Sequence, residues 1–341
     1  MTFPLDQTVT RLGQNQNVGS PRALFLKKFA GEVLTQFRPN CLGLQLTRVR
    51  NITEGRAATF PLIGRTGAKY HKPGQLVQGD KIPQTEITVT IDDFAISPVF
   101  ISEIDEAMNH YEVRSQYTKE CSDALAELVD RNIFRMVAKV GLVGNRAEAD
   151  TAGAVTLPDD TFVAPFTLGA GKELDGNSLV DALYKVRTRF RRANMTHEIV
   201  AVFAPEQFEA LVNVSGKAGN MAWINRDFTD STQSTEAGSM KIAGITIYES
   251  NNLPKSNESA GINDPEPLAS ESGRTAAYRG DYSRIVGLVF AKDCVATVKL
   301  KDIAIVHEDE PLRLGHTIMA KMAVGHNILR HQCACAILRA A

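Results

Sequence analysis

Three stretches of the chain carry side chains whose types and spacing suit chemistry. Gly64-Arg-Thr-Gly-Ala-Lys69-Tyr70 has the glycines and lysine of a phosphate-cradling loop. It lacks the first glycine at the required spacing, however, and ends in Tyr70 where a magnesium-binding Ser or Thr is needed. His331, Cys333 and Cys335 alternate, with His326 close by, so on a strand they would share one face and offer imidazole and thiolate to Zn²⁺. That spacing matches no common zinc module, and a buried free cysteine behaves as a small hydrophobe. Lys185, Arg187, Arg189, Arg191 and Arg192 make one predicted helix end strongly basic. Such an end complements the helix macrodipole without any ligand, and it could equally face a nucleic acid or an acidic partner. No G-x-S-x-G, H-E-x-x-H or G-x-G-x-x-G pattern occurs. We therefore assign no catalytic, cofactor-binding or metal-binding residue and expect no cofactor.

Charge is more informative than motif. Over 341 residues, 38 Lys and Arg stand against 39 Asp and Glu, a net charge of -1. A protein whose main task is to wrap nucleic acid carries a clear basic excess, which is missing here. The balance is uneven, though: from Met1 to Arg56, eight basic residues face three acidic ones, +5, which leaves -6 for the remainder. Arg11, Arg22, Lys27 and Lys28 lead this basic arm, which suits an acidic partner surface, nucleic acid or plain solvent. The N-terminus has no signal-peptide pattern, no window approaches the ~20 apolar residues of a membrane span, and the five scattered cysteines lack framework spacing. The expectation is a soluble chain with reduced thiols, made in the cytoplasm, with no membrane partner.

The elements that would position these groups can be read in order. A mobile arm to Pro21 precedes a short amphipathic helix over Ala23–Phe37 and a strand over Leu44–Arg50. Ala57–Gly64 and Glu86–Asp93 read as strands, the second because Ile87, Val89 and Ile91 alternate with Thr88 and Thr90. Between them Arg65–Gln84, broken by glycine and proline and carrying Arg65, Lys69, Lys72 and Lys81, is too long for an ordinary compact loop. Such a hairpin projects and finds its partners on another subunit, or lies loose on the surface.

Ser102–Val140 is 39 residues without Gly or Pro, which predicts one long helix opened by a Ser102/Asp105 capping box. Ile104, Met108, Tyr111, Cys121, Leu125, Leu128, Ile133 and Met136 form its apolar stripe. Gly141–Asn177 reads as a connection. A helix capped by Ser178 and Asp181 then runs to Asn194, with a strand over Glu198–Ala204 and a helix opened by Pro205. Met240–Pro254 reads as a strand pair turning at Ala243-Gly244, and Asn251–Tyr282 as an exposed loop. Strands are expected at Ile285–Phe290, Cys294–Leu300, Ile303–Val306 and Cys333–Leu338. Mixed helices and strands without βαβ alternation or repeats give the α+β class.

Five blocks resemble one family: ALFLKKFAGEVLTQF (Ala23–Phe37), TFPLIGRTGAKYHKPG (Thr59–Gly74), DEAMNHYEVRSQYTKE (Asp105–Glu120), GLVFAKDCVATVKLKDIAIV (Gly287–Val306) and AKMAVGHNILR (Ala320–Arg330). In that order they resemble the major capsid proteins of podophages of the coliphage T-seven type, while the tail HQCACAILRAA departs from the pattern. The resemblance implies the Hong Kong 97-type capsid fold. Residues 1–56 would be the N-terminal arm, 57–97 the extended-loop hairpin, and 98–177 the peripheral domain with its spine helix. Residues 178–285 would be the axial domain and 286–341 the return to the peripheral domain.

It also implies a structural protein without enzymatic activity. The chain would form hexamers and pentamers that close an icosahedral shell around double-stranded DNA, bound without sequence specificity. Scaffolding, portal and tail proteins would be its partners, and the virion, assembled in the host cytoplasm, its location. Within this reading Arg65, Lys69, Tyr70, Lys72 and Lys81 are the candidate intersubunit contacts, and Arg11, Arg22, Lys27 and Lys28 the candidate charges of the arm. An encapsulin-like nanocompartment shell is the alternative.

Overall fold

The computed structural model describes residues 41–74, 76–77, 79–104, 114–152, 155–156, 161–195, 197–214, 239–259 and 275–340. The predicted arm and its amphipathic helix over Ala23–Phe37 lie outside these residues, as do Arg11, Arg22, Lys27 and Lys28.

One helix organises the rest. The chain enters through a single turn, α1 (Gly43–Leu46), and four strands, β1 (Arg48–Asn51), β2 (Ala57–Ile63), β3 (Gln84–Thr90) and β4 (Ala95–Ser102). The spine helix α2 (Arg114–Leu142) follows, 29 residues or about 44 Å at ~1.5 Å each. Cys121, Leu125, Val129, Ile133, Met136, Val137 and Val140 are buried along it at helical spacing. Ser102 ends β4, opposite Gly315, because the apolar run from Val99 to Ile101 is claimed by strand pairing, and the chain is helical from the next residue, at Glu103 and Ile104. Ile104, expected in the stripe, is 61% exposed, and Leu128 is only half-buried beside the buried Val129.

Beyond α2 come α3 (Arg146–Ala152), β5 (Phe166–Thr167), α4 (Gly176–Arg192), β6 (Ile199–Phe203), α5 (Pro205–Val214), β7 (Ser239–Ile242) and β8 (Ile245–Glu249). The chain closes with β9 (Ile285–Ala291), β10 (Val295–Glu310), β11 (Gly315–Ile328) and β12 (Ala334–Leu338). Asp175, rather than Ser178 or Asp181, caps α4: its carboxylate accepts from the Asn177 amide and from the Ser178 hydroxyl. The β7–β8 turn falls at Ala243-Gly244, both at positive φ (56° and 72°), as a two-residue hairpin turn requires. The predicted strand at Leu44–Arg50 is split by tertiary packing, since Gly43–Leu46 turns as helix against α2 before β1 begins.

Two sheets flank the spine helix. A four-stranded sheet has the order β1-β10-β11-β4, with β1 parallel to β10 and the other pairs antiparallel. A six-stranded sheet has the order β5-β12-β9-β6-β8-β7. The strands read separately at Cys294–Leu300 and Ile303–Val306 are one strand, β10, whose register slips between Lys299 and Lys301 and again before Ala304. Within residues 286–340, β10 and β11 lie in the four-stranded sheet, whereas β9 and β12 pair in the six-stranded one.

The main core joins α2 to both sheets through residues such as Phe134, Leu288, Phe290, Met322 and Ala336. A second core packs α4 and α5 on the other face of the six-stranded sheet, with Leu183, Phe190, Phe203 and Ile247 buried. Two glycines set the distances. A Cβ at Gly141 would lie 2.8 Å from the Ala336 amide, and one at Gly325 only 2.1 Å from the Thr90 carbonyl oxygen. The first lets α2 touch β12, and the second lets the β2–β3 ribbon cross β11.

The segment expected as an exposed loop at Asn251–Tyr282 is exposed only in part at its two described ends: Asn252, Leu253, Pro254, Glu258, Tyr278 and Tyr282 are buried, because it carries polar partners for α2. Arg135 and Glu258, 4% and 5% exposed, form a buried ion pair with Nε to Oε2 at 2.8 Å. Asn252 donates to Asp130 Oδ2 at 2.7 Å, and the Gly43 amide donates to Asp130 Oδ1. Removing one member of a buried pair leaves an uncompensated charge. Arg135→Met should therefore cost about 3–5 kcal/mol in a denaturant titration of the dissociated subunit, and Arg135→Met with Glu258→Leu much less.

His326 is buried with its Nδ1 2.9 Å from the Thr297 hydroxyl, and burial depresses its pKa from 6.5 to about 3. The folded chain thus holds it neutral, while the unfolded chain protonates it below 6.5. Its contribution is complete above that pH and is lost as pH falls toward 3. His326→Gln should flatten the stability–pH profile between those limits by up to about 1.4 kcal/mol per pH unit, read by denaturant titration at each pH.

Candidate assembly surfaces

The ribbon of β2 and β3 is anchored at one end and open at the other. Its strands pair in register from Ala57 opposite Thr90 to Ile63 opposite Gln84. Strict alternation puts Ala58, Phe60, Leu62, Ile87 and Val89 on one face, buried against Ala296, Val298 and Ala323 of the four-stranded sheet. The Asp92 amide, donating to the Val324 carbonyl, fastens the strand end that follows.

Past the Gly64 amide, which donates to the Pro83 carbonyl, regular pairing stops. Lys69 bridges to Asp80 at 2.6 Å across the loop. Arg65, Lys69, Tyr70, Lys72 and Lys81 are all exposed here, Tyr70 completely, together with Leu76 at 87% and Val77 at 75%. Their shared place is this projecting loop, so the stretch resembling a phosphate loop sits away from any strand-to-helix junction and has no helix to aim at a phosphate. Large apolar side chains left in water beside cations mark a contact surface rather than a reaction site.

The candidate metal residues are not brought together as an alternating face. His331 and Cys333 lie in a tight helical turn (His331–Cys333) that precedes β12, so the period-two alternation assumed for them does not begin until Ala334. Cys333 belongs to the core against α2 and Cys335 to the core against α4. The His331 ring stacks on Phe162 with centroids 4.8 Å apart. Burial pushes the thiols of Cys333 and Cys335 up to about 12 and 11, as suits free cysteines packed in two separate cores. Among the described residues no three His, Cys, Asp or Glu side chains converge.

The basic end of α4 is partly consumed by the fold. Arg189 donates to the carbonyls of Ala164 and Pro165, and both Arg189 and Lys185 lie over the Phe166 ring. Arg187 packs over Gly244, and Arg191 is exposed beside it. These contacts account for Lys185, Arg187 and Arg189 by helix packing, while Arg191 and Arg192 stay exposed. Sequence reasoning missed one further exposed surface, the outer half of β10 and its turn, where Ile303, Ile305, Leu312 and Leu314 are exposed. The available signal was the apolar run Ile303–Val306 flanked by Asp302 and by Glu308, Asp309 and Glu310.

Comparison with known proteins agrees with this geometry. A family model described as Gp10A-like major capsid protein matches residues 59–338. The chain is 31% identical to the major capsid protein of Enterobacteria phage T3, covering 97% of this chain and 96% of that one. It is 29% identical to the major capsid protein of Escherichia phage T7, with 96% of each covered. Among solved structures, the capsid of the cyanophage P-SCSP1u superposes with a TM-score of 0.73 at 32% identity, over 98% of this chain and 99% of that one. The mature capsid of bacteriophage PhiM1 gives 0.70 at 15% identity, over 99% of each chain, a likeness of fold alone. The fold is of the Hong Kong 97 type, and the chain belongs to the Gp10A-like family of phage major capsid proteins.

Proposed function

We propose that the chain is the structural subunit of an icosahedral phage head, arranged in hexamers and pentamers around double-stranded DNA, and that it catalyses no reaction. The observation that carries this reading is the anchored ribbon with an exposed apolar and basic end, in a chain matched to major capsid proteins over residues 59–338. A closed shell needs head-to-tail interfaces between identical subunits, and a projecting ribbon supplies one half of such an interface. Near-neutral total charge suits a container that must release its DNA, because each neutralised phosphate adds salt-dependent adhesion. The relatives are capsid proteins of phages, which favours this over an encapsulin-like nanocompartment. Scaffolding, portal and tail proteins are the expected partners, with assembly in the host cytoplasm.

In this reading residues 57–97 are the extended loop. Residues 98–177, with the spine helix, are the peripheral domain, 178–285 the axial domain and 286–341 the return to the peripheral domain, of which β9 and β12 pair in the six-stranded sheet. Residues 1–56 are the arm.

Two experiments test the proposal. Expressed with its scaffolding protein, the chain should give closed shells by electron microscopy, and monomers across the whole concentration range would overturn it. Replacing Arg65–Gln84 by a short Gly-Ser turn should leave a folded subunit with an unchanged circular dichroism spectrum but no stable shells; normal shells would show that the ribbon makes no essential contact. For the arm, with its +5 balance, we expect an acidic protein surface rather than DNA as the partner. Arg11, Arg22, Lys27 and Lys28 changed to Glu should then lower the yield of empty precursor shells in a salt-dependent way. Normal empty shells with failure only on filling would point to DNA.

A further inference from the structure

The four-stranded sheet ends in an open edge. β1 covers β10 only from Ala296 to Lys299, and the Ile52 amide makes the last bond, to the Lys299 carbonyl. From Lys301 to Glu310, β10 pairs with β11 on one side, and among the described residues no strand pairs with it on the other. Both faces of this stretch are also bare: Lys301 to Ile305 and His307 to Asp309 are all exposed. An open strand edge presents unpaired amides and carbonyls and is a template for another strand.

The edge discriminates among occupants. Lys301–Glu310 carries Asp302, Glu308, Asp309 and Glu310 against Lys301; with Lys299 paired to Asp302 and Arg313 to Glu310, residues 299–313 keep a balance of -1 among Lys, Arg, Asp and Glu, concentrated at Glu308 and Asp309. Two such edges meeting would set like charges opposite one another, so self-pairing is disfavoured. Residues 1–40 hold five basic and two acidic residues, +3. Their one run of strand-forming type, Gln7-Thr-Val-Thr-Arg-Leu12, lies between Pro4 and Gly13 and contains Arg11.

The subunit's own arm arrives at the wrong end. Arg48 sits opposite Ala296, at the end of β10 remote from Glu310, and the chain reaches Lys299 only at Asn51 before turning off. Residues 13–40 of another copy, at ~3.3 Å per extended residue, could reach up to about 92 Å, ample to cross a subunit boundary.

We propose that residues 7–12 of a neighbouring copy's arm add as a strand to the open edge of β10 between Lys301 and Glu310, held in place by main-chain pairing and opposite charge. This rests on the shell reading above and names the acidic surface that the arm meets.

The test uses disulfide formation between two populations of full-length subunit, both Cys41→Ser. One carries Ala304→Cys, and the other carries a cysteine at Thr8, Val9, Thr10 or Arg11. They are co-assembled with scaffolding protein, oxidised and run on a denaturing gel, so that a covalent dimer can only join two copies. Successive side chains of a strand point to opposite faces. Dimer yield should therefore alternate along residues 8–11, about threefold or more between adjacent positions, and fall when the Ala304→Cys population also carries Glu308→Lys and Asp309→Lys.

Even yield along residues 8–11 would overturn strand addition in favour of a loose contact, and no dimer at any position would overturn the contact itself. In a third sample, a chain carrying both Ala304→Cys and Val9→Cys, a crosslink that forms only within the chain would overturn the neighbouring copy as its source. Electron microscopy of the same samples separates the two levels: intact shells without the crosslink refute this inference alone, whereas failure of the Cys41→Ser parent and every variant to form shells refutes the shell reading.

Discussion

The structure depends on how closely the spine helix approaches the sheets. At Gly141 the helix backbone lies against Ala336 with no room for a side chain, and along the same helix Phe134, Val137 and Ala138 are fully buried. One helix thereby belongs to both sheets, so the two halves of the subunit share a core instead of meeting at a soft interface. Apolar burial worth about 1.5–3 kcal/mol for each large side chain makes that shared core the dominant stabilising term. A subunit carrying load around a closed shell has use for such a rigid connection.

Polar groups inside that core then fix orientation. Asp130 accepts from Gly43 at the entry of the chain and from Asn252 in the segment after β8. Burial pushes its carboxyl above the usual range even though these hydrogen bonds pull the other way. Arg135, one turn further along, holds Glu258 in the same segment. These groups are costly to bury, so they serve geometry more than stability, fastening segments far apart in sequence to one stretch of one helix.

The rest of the chain projects away from this frame. The ribbon beyond Gly64 and the outer half of β10 bury little of their own surface, and both leave apolar and charged side chains in water. In an isolated subunit these features lower solubility and invite strand pairing. In the proposed assembly of identical copies they would become the joints, which accounts for so much exposed apolar surface.

The local chemistry of the sequence determined what neighbouring residues alone decide. Alternation of Ile87, Val89 and Ile91 with threonines marked β3, Pro205 opened a helix, Ala243-Gly244 turned a hairpin, and the glycine- and proline-broken run after Gly64 projected. The five quoted blocks went further and pointed to the capsid family. Tertiary structure decided whatever depends on partners distant along the chain. β4 and β11 went unread because Pro98 and the small residues around Ala320 and Gly325 make sense only in contact. His331, Cys333 and Cys335 shared a face only on the assumption of a regular strand, and the turn before β12 removed it. The Arg135–Glu258 pair spans 123 residues of sequence, a separation at which periodicity carries no information and only the packed fold brings the charges together.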